Sequence, residues 1–518
     1  MSEKFEPEGL WSGKAFKDWE TDAFKFFKLW GPLLLVSGIA GGLGAVFFRA
    51  LIILNQDLFF GVLETHGLPV IFLPVIGGLI VGPIIYKWAS EAWGHGVPEV
   101  MEALRSRGGK IRTRVALVKI LASSITIGSG GSAGREGPIA QIGASISSVV
   151  GQAFHLDSRS LKLLVIAGAS AGISGTFKAP IGGALFGLEV LNGEVRTTDL
   201  IVMALSSIVG YAVSVAILGP GAIFTVQGIT FKDSDMPFYL LLGVIGGFVS
   251  YIWTRSLYGV EDLFARFKVQ RKWFSPFLGA WVVGSIGLFF PETLGLGYGV
   301  LSDFFNGSLA IKYTGSLILF FFLLFLAKLG TSSFTIGSGG SGGVFSPSLF
   351  MGAMLGAIYG VFIDSVFPSI SPGYTSFALV GMAVIFSGSA KAPLMSTIIV
   401  AEMWQNFVLL PGLFIASTMA YLISGPGSIY MFKVQRTVGQ NIPDRYIGVP
   451  QMPAVALLAY KAIKGREKEK KEKAASRLKS ASAYKEAPRT QVEFELEQNK
   501  KPNFNLQKNE EQNDESET

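Results

Sequence analysis

The sequence contains no cysteine and only three histidines, His66, His95 and His155, in 518 residues. Disulfides, thiolate metal sites and sulfur redox chemistry are thereby excluded, and a structural zinc site has too few ligands. Charge is also scarce. Asp, Glu, Lys and Arg make up 16% of the chain, where soluble domains carry roughly a quarter. The scarcity is uneven, because 26 of the 81 charged residues fall in residues 461–518. What the chain has instead is apolar side chain, 50% of all residues, and 64 glycines, with a mean hydropathy of +0.46. This composition predicts an all-α polytopic membrane protein rather than a set of soluble domains. The net charge of +7 sits in short loops between apolar runs, as positive-inside topology requires, and not in a nucleic-acid patch. The N-terminus lacks a cleavable signal pattern.

A bilayer core of about 30 Å takes about 20 helical residues. Apolar stretches at 31–54, 68–89, 114–127, 161–190, 199–218, 237–257, 275–290, 314–336, 345–363, 375–388, 392–404 and 407–424 are the candidate spans. Several are too short to cross perpendicular to the membrane, and Gly or Pro interrupts others. Short, broken helices at membrane depth survive where they line a cavity or are buried in protein, as in transporters and channels. The expected organisation is a cytoplasmic N-terminal segment at 1–29, a transmembrane domain at 30–440 and a charged, largely disordered cytoplasmic tail at 441–518. The basic loops Arg105–Arg114 and Arg266–Lys272 are expected on the cytoplasmic side.

The strongest feature is an internal repeat. Thr126–Pro138 reads TIGSGGSAGREGP and Thr335–Pro347 reads TIGSGGSGGVFSP, identical at nine of thirteen positions at an offset of 209. Lys119 and Lys328 align at the same offset. Ser174–Val190 (SGTFKAPIGGALFGLEV) and Ser387–Met403 (SGSAKAPLMSTIIVAEM) align at an offset of 213, matching Lys-Ala-Pro and then Glu189 with Glu402. Two such halves, about 30–220 and 237–440, predict a pseudo-symmetric transport protein whose site lies near the midplane, where half-helices from both repeats meet.

Each repeated loop runs into an apolar helix with Pro138 or Pro347 in its first turn, where a missing N–H costs nothing. A helix start presents unpaired N–H groups and about half a positive charge, and glycine lets an anion approach the backbone. Partial charges suit an ion that must also leave. GSGGSAGREGP is not a nucleotide loop, since Gly-Pro stands where the phosphate loop needs Gly-Lys-Ser/Thr. Glu136 is a carboxylate inside this apolar region, and intramembrane carboxylates are functional by default. At an anion site it can occupy the site itself and leave on protonation, which makes it a gate and a proton carrier; the plainer reading pairs it with Arg135. No nucleophile–base pair or metal cluster supports an enzyme, and no cofactor is expected.

Gly134-Arg135-Glu136-Gly137-Pro138 resembles the GREGP motif of the CLC family of chloride channels and proton-coupled chloride antiporters. Gly343-Val344-Phe345-Ser346-Pro347 resembles that family's GxFxP motif, Gly94-His95-Gly96-Val97-Pro98-Glu99 its GSGIP motif with one change, and Ser428-Ile429-Tyr430 the segment that presents its pore tyrosine. The resemblance covers residues 30–440. It implies a CLC-type inverted repeat of tilted and broken helices, and a homodimer with one ion pathway per subunit. It makes Glu136 the external gate and proton site. The backbone N–H groups of Val344 and Phe345, the Tyr430 hydroxyl and, from the cytoplasmic side, His95 would hold a central chloride or similar anion. The amides of Arg135, Glu136 and Gly137 would line an outer site, and Lys119 would add buried positive potential.

Three departures bear on function. The family serine is His95 here, and a histidine with an ordinary pKa near 6.5 would make anion binding from inside pH-dependent and alter the choice between chloride and nitrate. Val190 follows Glu189 where proton-coupled members often carry a second glutamate; this favours a channel, with a proton-coupled chloride antiporter as the alternative. Glu189 and Glu402 are expected to cap or pair structurally. Finally, the charged tail is too short and polar to hold the paired CBS domains of many relatives. The membrane expected is a plasma or bacterial inner membrane, with lipid and transported anions, and in the antiporter case protons, as the partners; nucleic acid is not one.

Overall fold

The computed structural model describes residues 13–192, 196–226, 229–266, 272–311, 316–368 and 371–430. The expected tail at 441–518, the first twelve residues and most of the 266–272 loop lie outside the described residues. Within them the chain is all-helical. The first half comprises α1 (Gly13–Gln56), α2 (Phe72–Trp88), α3 (Val97–Ser106), α4 (Arg114–Gly128), α5 (Glu136–Ala153), α6 (Ser158–Phe177), α7 (Pro180–Phe186) and α8 (Thr197–Leu218). The second half comprises α9 (Met236–Arg266), α10 (Ser275–Phe289), α11 (Tyr298–Phe305), the short α12 (Ser308–Ile311), α13 (Leu317–Gly337), α14 (Phe345–Val366), α15 (Tyr374–Ala390), α16 (Pro393–Trp404) and α17 (Leu410–Ile423). A chain in lipid must satisfy its backbone hydrogen bonds internally, and helices do so within each segment.

The packing repeats with the sequence. α5 packs on α6 as α14 packs on α15, and α1 clasps α6 and α8 as α9 clasps α15 and α17. The halves meet through α2 on α10 and α7 on α16. Six described helices or helix pairs, among them α6, α8, α13 and α14, are long and apolar enough to cross a bilayer; α2, α10, α15, α16 and α17 are shorter and apolar.

One expected span divides. The apolar stretch 161–190 is two helices, not one. α6 stops at Phe177, Lys178 turns left-handed at φ 53°, and α7 starts on Pro180. Its mate repeats the turn at Lys391, φ 63°, before Pro393. Both lysines are held by oxygen acceptors: Lys178 Nζ donates to the backbone Gly219 O (2.8 Å) and Gly221 O (3.2 Å), and Lys391 Nζ to the backbone Tyr421 O (3.3 Å) and the Ser424 hydroxyl (2.6 Å). The proline ring bars a continuous helix, and each lysine satisfies carbonyls at the C-terminal end of a neighbouring helix, α8 for Lys178 and α17 for Lys391. α1 runs unbroken from Gly13 and carries Pro32 inside it, and the apolar span along it begins at Trp30.

At its other end α6 is capped by Asp157, whose carboxylate accepts the Arg159 N–H (2.9 Å) and the Ser160 N–H (3.3 Å). Hydrogen bonding from Ser160 and Arg159 holds this exposed carboxyl below its usual range.

The two repeats also cap each other. Glu189 accepts the Leu394 N–H (3.2 Å) and the Met395 N–H (2.7 Å) at the start of α16. Glu402 accepts the Ile181 N–H (3.0 Å) and the Gly182 N–H (2.7 Å) at the start of α7. This is the capping role expected of both glutamates, with each cap supplied by the opposite half. Removing either carboxylate leaves two helix-start donors and a helix dipole unanswered, at a cost of about 1–3 kcal/mol. Glu189→Ala and Glu402→Ala are therefore expected to lower the melting temperature of the detergent-solubilised protein, with the Gln variants losing less; unchanged melting in both Ala variants contradicts the cross-capping.

Candidate functional site

The site stands where α5 and α14 begin. The loops before these helices meet in one antiparallel rung, Gly134 N–H to Gly343 O at 2.7 Å and Gly343 N–H to Gly134 O at 2.6 Å. Around the rung the bonds made by the repeated Ser and Thr hydroxyls across the halves come in image pairs. Ser132 N–H donates to Thr335 Oγ1 (3.0 Å) and Ser341 N–H to Thr126 Oγ1 (3.3 Å). Ser132 Oγ meets Ser332 Oγ at 2.9 Å, and Ser123 Oγ meets Ser341 Oγ at 2.8 Å. The repeated Ser and Thr hydroxyls thus stitch one half to the other, and the two helix starts end up side by side.

Glu136 opens α5 and is 3% exposed. Its carboxylate reaches across the rung to the other half: Oε1 accepts the Phe345 N–H, and Oε2 lies 3.4 Å from the Ser346 hydroxyl. Phe345 and Ser346 are the first two residues of α14, so the carboxylate occupies the unpaired donors and the positive end of that helix. The seat exists because the rung is glycine. A Cβ on Gly134 would fall 2.1 Å from Oε2, and one on Gly343 would fall 2.1 Å from Oε1. Pro138 and Pro347 lie in the first turns of α5 and α14, as expected.

The side chain of Arg135 turns elsewhere. It donates to Thr176 O (3.2 Å), and its guanidinium lies 5.2 Å from the Tyr298 ring centroid and 5.8 Å from that of Phe177. It lines a cavity of about 560 Å³, together with Arg49, Lys178, Glu292 and Tyr298.

The loop carrying His95 is clamped by both halves. Lys119 Nζ donates to Ala92 O (3.0 Å) and Gly94 O (2.7 Å). Ser341 Oγ donates to Ala92 O (2.8 Å), Gly342 N–H to Gly94 O (3.3 Å), and Gln141 Nε2 to Glu91 O (2.8 Å). Arg112 holds the Glu91 carboxylate through two hydrogen bonds. The buried Lys119 thus holds this loop. Gly137 lies against the His95 carbonyl, where a Cβ would approach to 1.9 Å.

Tyr430 is 2% exposed. The turn that presents it is held by Ile429 N–H to Ser389 O (2.8 Å), Tyr258 OH to Ile429 O, and Tyr430 N–H to Ser428 Oγ (3.2 Å). A file of rings connects the parts: His95 to Tyr430 at 5.6 Å, Tyr430 to Phe386 at 6.3 Å, and Phe386 to Phe345 at 4.5 Å between centroids. Val344 is buried at the N-cap of α14. The fold therefore brings His95, Glu136, Gly137, Val344, Phe345 and Tyr430 together, with Gly134, Gly343, Lys119 and both prolines as their supports.

Sequence reasoning missed one partner. Lys328 Nζ donates to Thr293 O (2.9 Å) and Gly295 O (3.1 Å), the image of the Lys119 clamp. This makes Gly295-Leu296-Gly297-Tyr298 the mate of Gly94-His95-Gly96-Val97. All four glycines have positive φ, 63° and 85° in the first half, 63° and 81° in the second. The legible signal was a Gly-x-Gly ahead of each aligned lysine, 25 residues before Lys119 and 33 before Lys328. Its consequence is that Tyr298 starts α11 with its hydroxyl 2.6 Å from Ser346 Oγ.

A methyl on Gly343 and the seated carboxylate cannot share the same space. An electron cryomicroscopy map of Gly343→Ala is expected to show the Glu136 side chain withdrawn from the Phe345 amide; density still bridging them contradicts the seat.

Residues 77–425 match the family profile described as "Voltage gated chloride channel". The chain is 30% identical over 385 residues to a putative chloride channel protein ClcB-like of Ralstonia nicotianae, covering 72% of this chain and 86% of that one. It is 31% identical over 399 residues to the voltage-gated ClC-type chloride channel ClcB of Shigella flexneri, covering 76% and 93%. Among solved structures, a slow cyanobacterial Cl⁻/H⁺ antiporter superposes with a TM-score of 0.71 at 22% identity, over 79% of this chain and 98% of that one. A CLC-type fluoride/proton antiporter does so with 0.67 at 26%, over 78% and 97%. The inverted repeat, the paired helix starts and these likenesses agree: the chain is an integral membrane protein of the CLC family.

Proposed function

We propose that the protein transports chloride or a similar small monovalent anion across the membrane, along a pathway gated by Glu136. The observation that carries this reading is the carboxylate seated on the Phe345 amide at the start of α14. A carboxylate oxygen is an anion with the charge and acceptor capacity of the ion it would displace. The seat supplies backbone and hydroxyl donors rather than a full cation, so an anion is held and also released. His95 and Tyr430 flank the same place. Protonation of Glu136 removes the charge that holds it there, and the vacated donors then receive the anion.

Sidedness follows from the charge distribution. Arg105, Arg159 and Lys162 line one cavity at the N-terminal end of α6, and Lys178 marks its opposite end beside the Arg135–Tyr298 cavity. Positive-inside bias assigns the first end to the cytoplasm and the cavity at Lys178 to the outside. Lys119, bound to the loop of His95, adds positive potential to the path. The homodimer with one pathway per subunit belongs to the same proposal and rests on the family.

Channel-like conduction is the favoured mode. Val190 is buried and cannot hold a proton, and Glu189 is committed to the α16 amides. The proton-coupled antiporter is the second reading, favoured by the 26%-identical relative being a fluoride/proton antiporter. Purified protein in liposomes with a chloride gradient and a pH-sensitive dye separates the two. A channel reverses at the chloride equilibrium potential whatever the pH gradient, whereas an antiporter drives protons uphill. Glu136→Ala is expected to abolish the external-pH dependence of flux in the channel reading and proton movement in the antiporter reading; wild-type behaviour in that variant removes Glu136 from the mechanism.

His95 supplies a separate test. His95→Ser is expected to flatten the internal-pH dependence of anion flux, and an unchanged internal-pH response removes titration of His95 from the proposal.

A further inference from the structure

The carboxylate seat has a second donor, and that donor is itself held. Ser346 Oγ lies 3.4 Å from Glu136 Oε2 and 2.6 Å from the Tyr298 hydroxyl. A serine hydroxyl has one hydrogen. Given to Tyr298, it would leave Oε2 facing lone pairs. The arrangement that satisfies a carboxylate at the end of the line is Tyr298 donating to Ser346 and Ser346 donating to Glu136.

Tyr298 is fixed where this requires. It follows Gly297 at φ 81° as the first residue of α11. Its ring is gripped by the Arg135 guanidinium at 5.2 Å and lies edge-on to Phe224 at 5.7 Å. It also lines the 560 Å³ cavity. Around this line, Arg135 adjoins the ring; Arg49, Lys178 and Glu292 share the cavity; and Lys119, His95 and Tyr430 come from the other elements packed about Glu136.

We propose that Tyr298 is a positioning residue for the gate: through its bond to Ser346 it aims the serine hydroxyl at the seated carboxylate, and so sets the external proton concentration at which Glu136 leaves. This deepens the assignment of Glu136 as the gate and rests on it. The direction of the effect is determined. A donor aimed at the carboxylate favours its charged form. Without the Tyr298 hydroxyl, Ser346 is free to turn its hydrogen elsewhere, the charged form loses that support, and protonation succeeds at a higher pH.

The test measures chloride efflux from liposomes against external pH, with each variant scaled to its own acid plateau. Tyr298→Phe, which keeps the ring over Arg135, is expected to move the midpoint toward alkaline pH by about one unit. Ser346→Ala is expected to move it the same way, Ser346→Thr to restore it, and the double variant Tyr298→Phe/Ser346→Ala to move it no further than either single one. Such non-additivity marks two residues on one path and is not produced by independent loosening of the fold. An unmoved midpoint in Tyr298→Phe, or additive shifts in the double variant, overturns the proposal. If Tyr298→Phe does not yield folded protein, the comparison of Ser346→Ala with Ser346→Thr decides, since equal midpoints in the two also overturn it. Glu136→Ala separates the layers. Persisting external-pH dependence there refutes the gate itself, whereas its loss together with an unmoved Tyr298→Phe midpoint refutes only the role of Tyr298.

Discussion

One backbone rung carries the architecture of the site. The two hydrogen bonds between Gly134 and Gly343 bring together loops 209 residues apart, and through them the first turns of α5 and α14. Everything placed near the carboxylate seat depends on that approach. The carboxylate of Glu136 spans from one repeat to the other, the His95 loop is tied down by Lys119 from the first half and Ser341 from the second, and the serine and threonine hydroxyls of each loop answer the other. A side chain on either glycine would occupy the carboxylate's own position, so the closeness of the halves and the existence of the seat are one constraint.

The same logic of exchange operates at a second level. Glu189 caps the start of α16 and Glu402 the start of α7, each serving the opposite repeat. In a bilayer the first N–H groups of a broken helix have no water to turn to. A duplicated chain solves this by having each copy donate the acceptor that the other lacks. Intramembrane carboxylates therefore divide into two kinds here. Glu189 and Glu402 each satisfy two backbone amides and hold structure, whereas Glu136 lies on the start of α14 over a glycine floor, next to the cavity-lining Arg135, and is the one to which the proposal gives movement.

Much of this was legible in the sequence. The thirteen-residue repeat, its aligned lysines and the Lys-Ala-Pro segments with their glutamates predicted two halves meeting at helix starts, and the helices do so. The alternative that paired Glu136 with its neighbour Arg135 was a reading of adjacency alone. In the fold the two side chains diverge, the carboxylate to α14 and the guanidinium to the rings of Tyr298 and Phe177. The break at Lys178 was hidden inside an apolar stretch because hydropathy does not register a left-handed turn. Tyr298 was missed because its motif matches its mate only in two glycines, whose positive φ is a backbone property that spacing alone states weakly.

By itself, the sequence determined the class, the duplication and the residue types at the seat, because composition and periodicity follow directly from what a bilayer demands of a chain and from the copying of a segment. Tertiary structure alone decided which donors each of those residues meets. That Glu136 lies on Phe345 rather than Arg135, that each glutamate caps the opposite repeat, and that a tyrosine from α11 stands behind Ser346 are consequences of distances between segments remote along the chain. No local pattern contains those distances, since they arise only when two inverted halves close on a glycine contact.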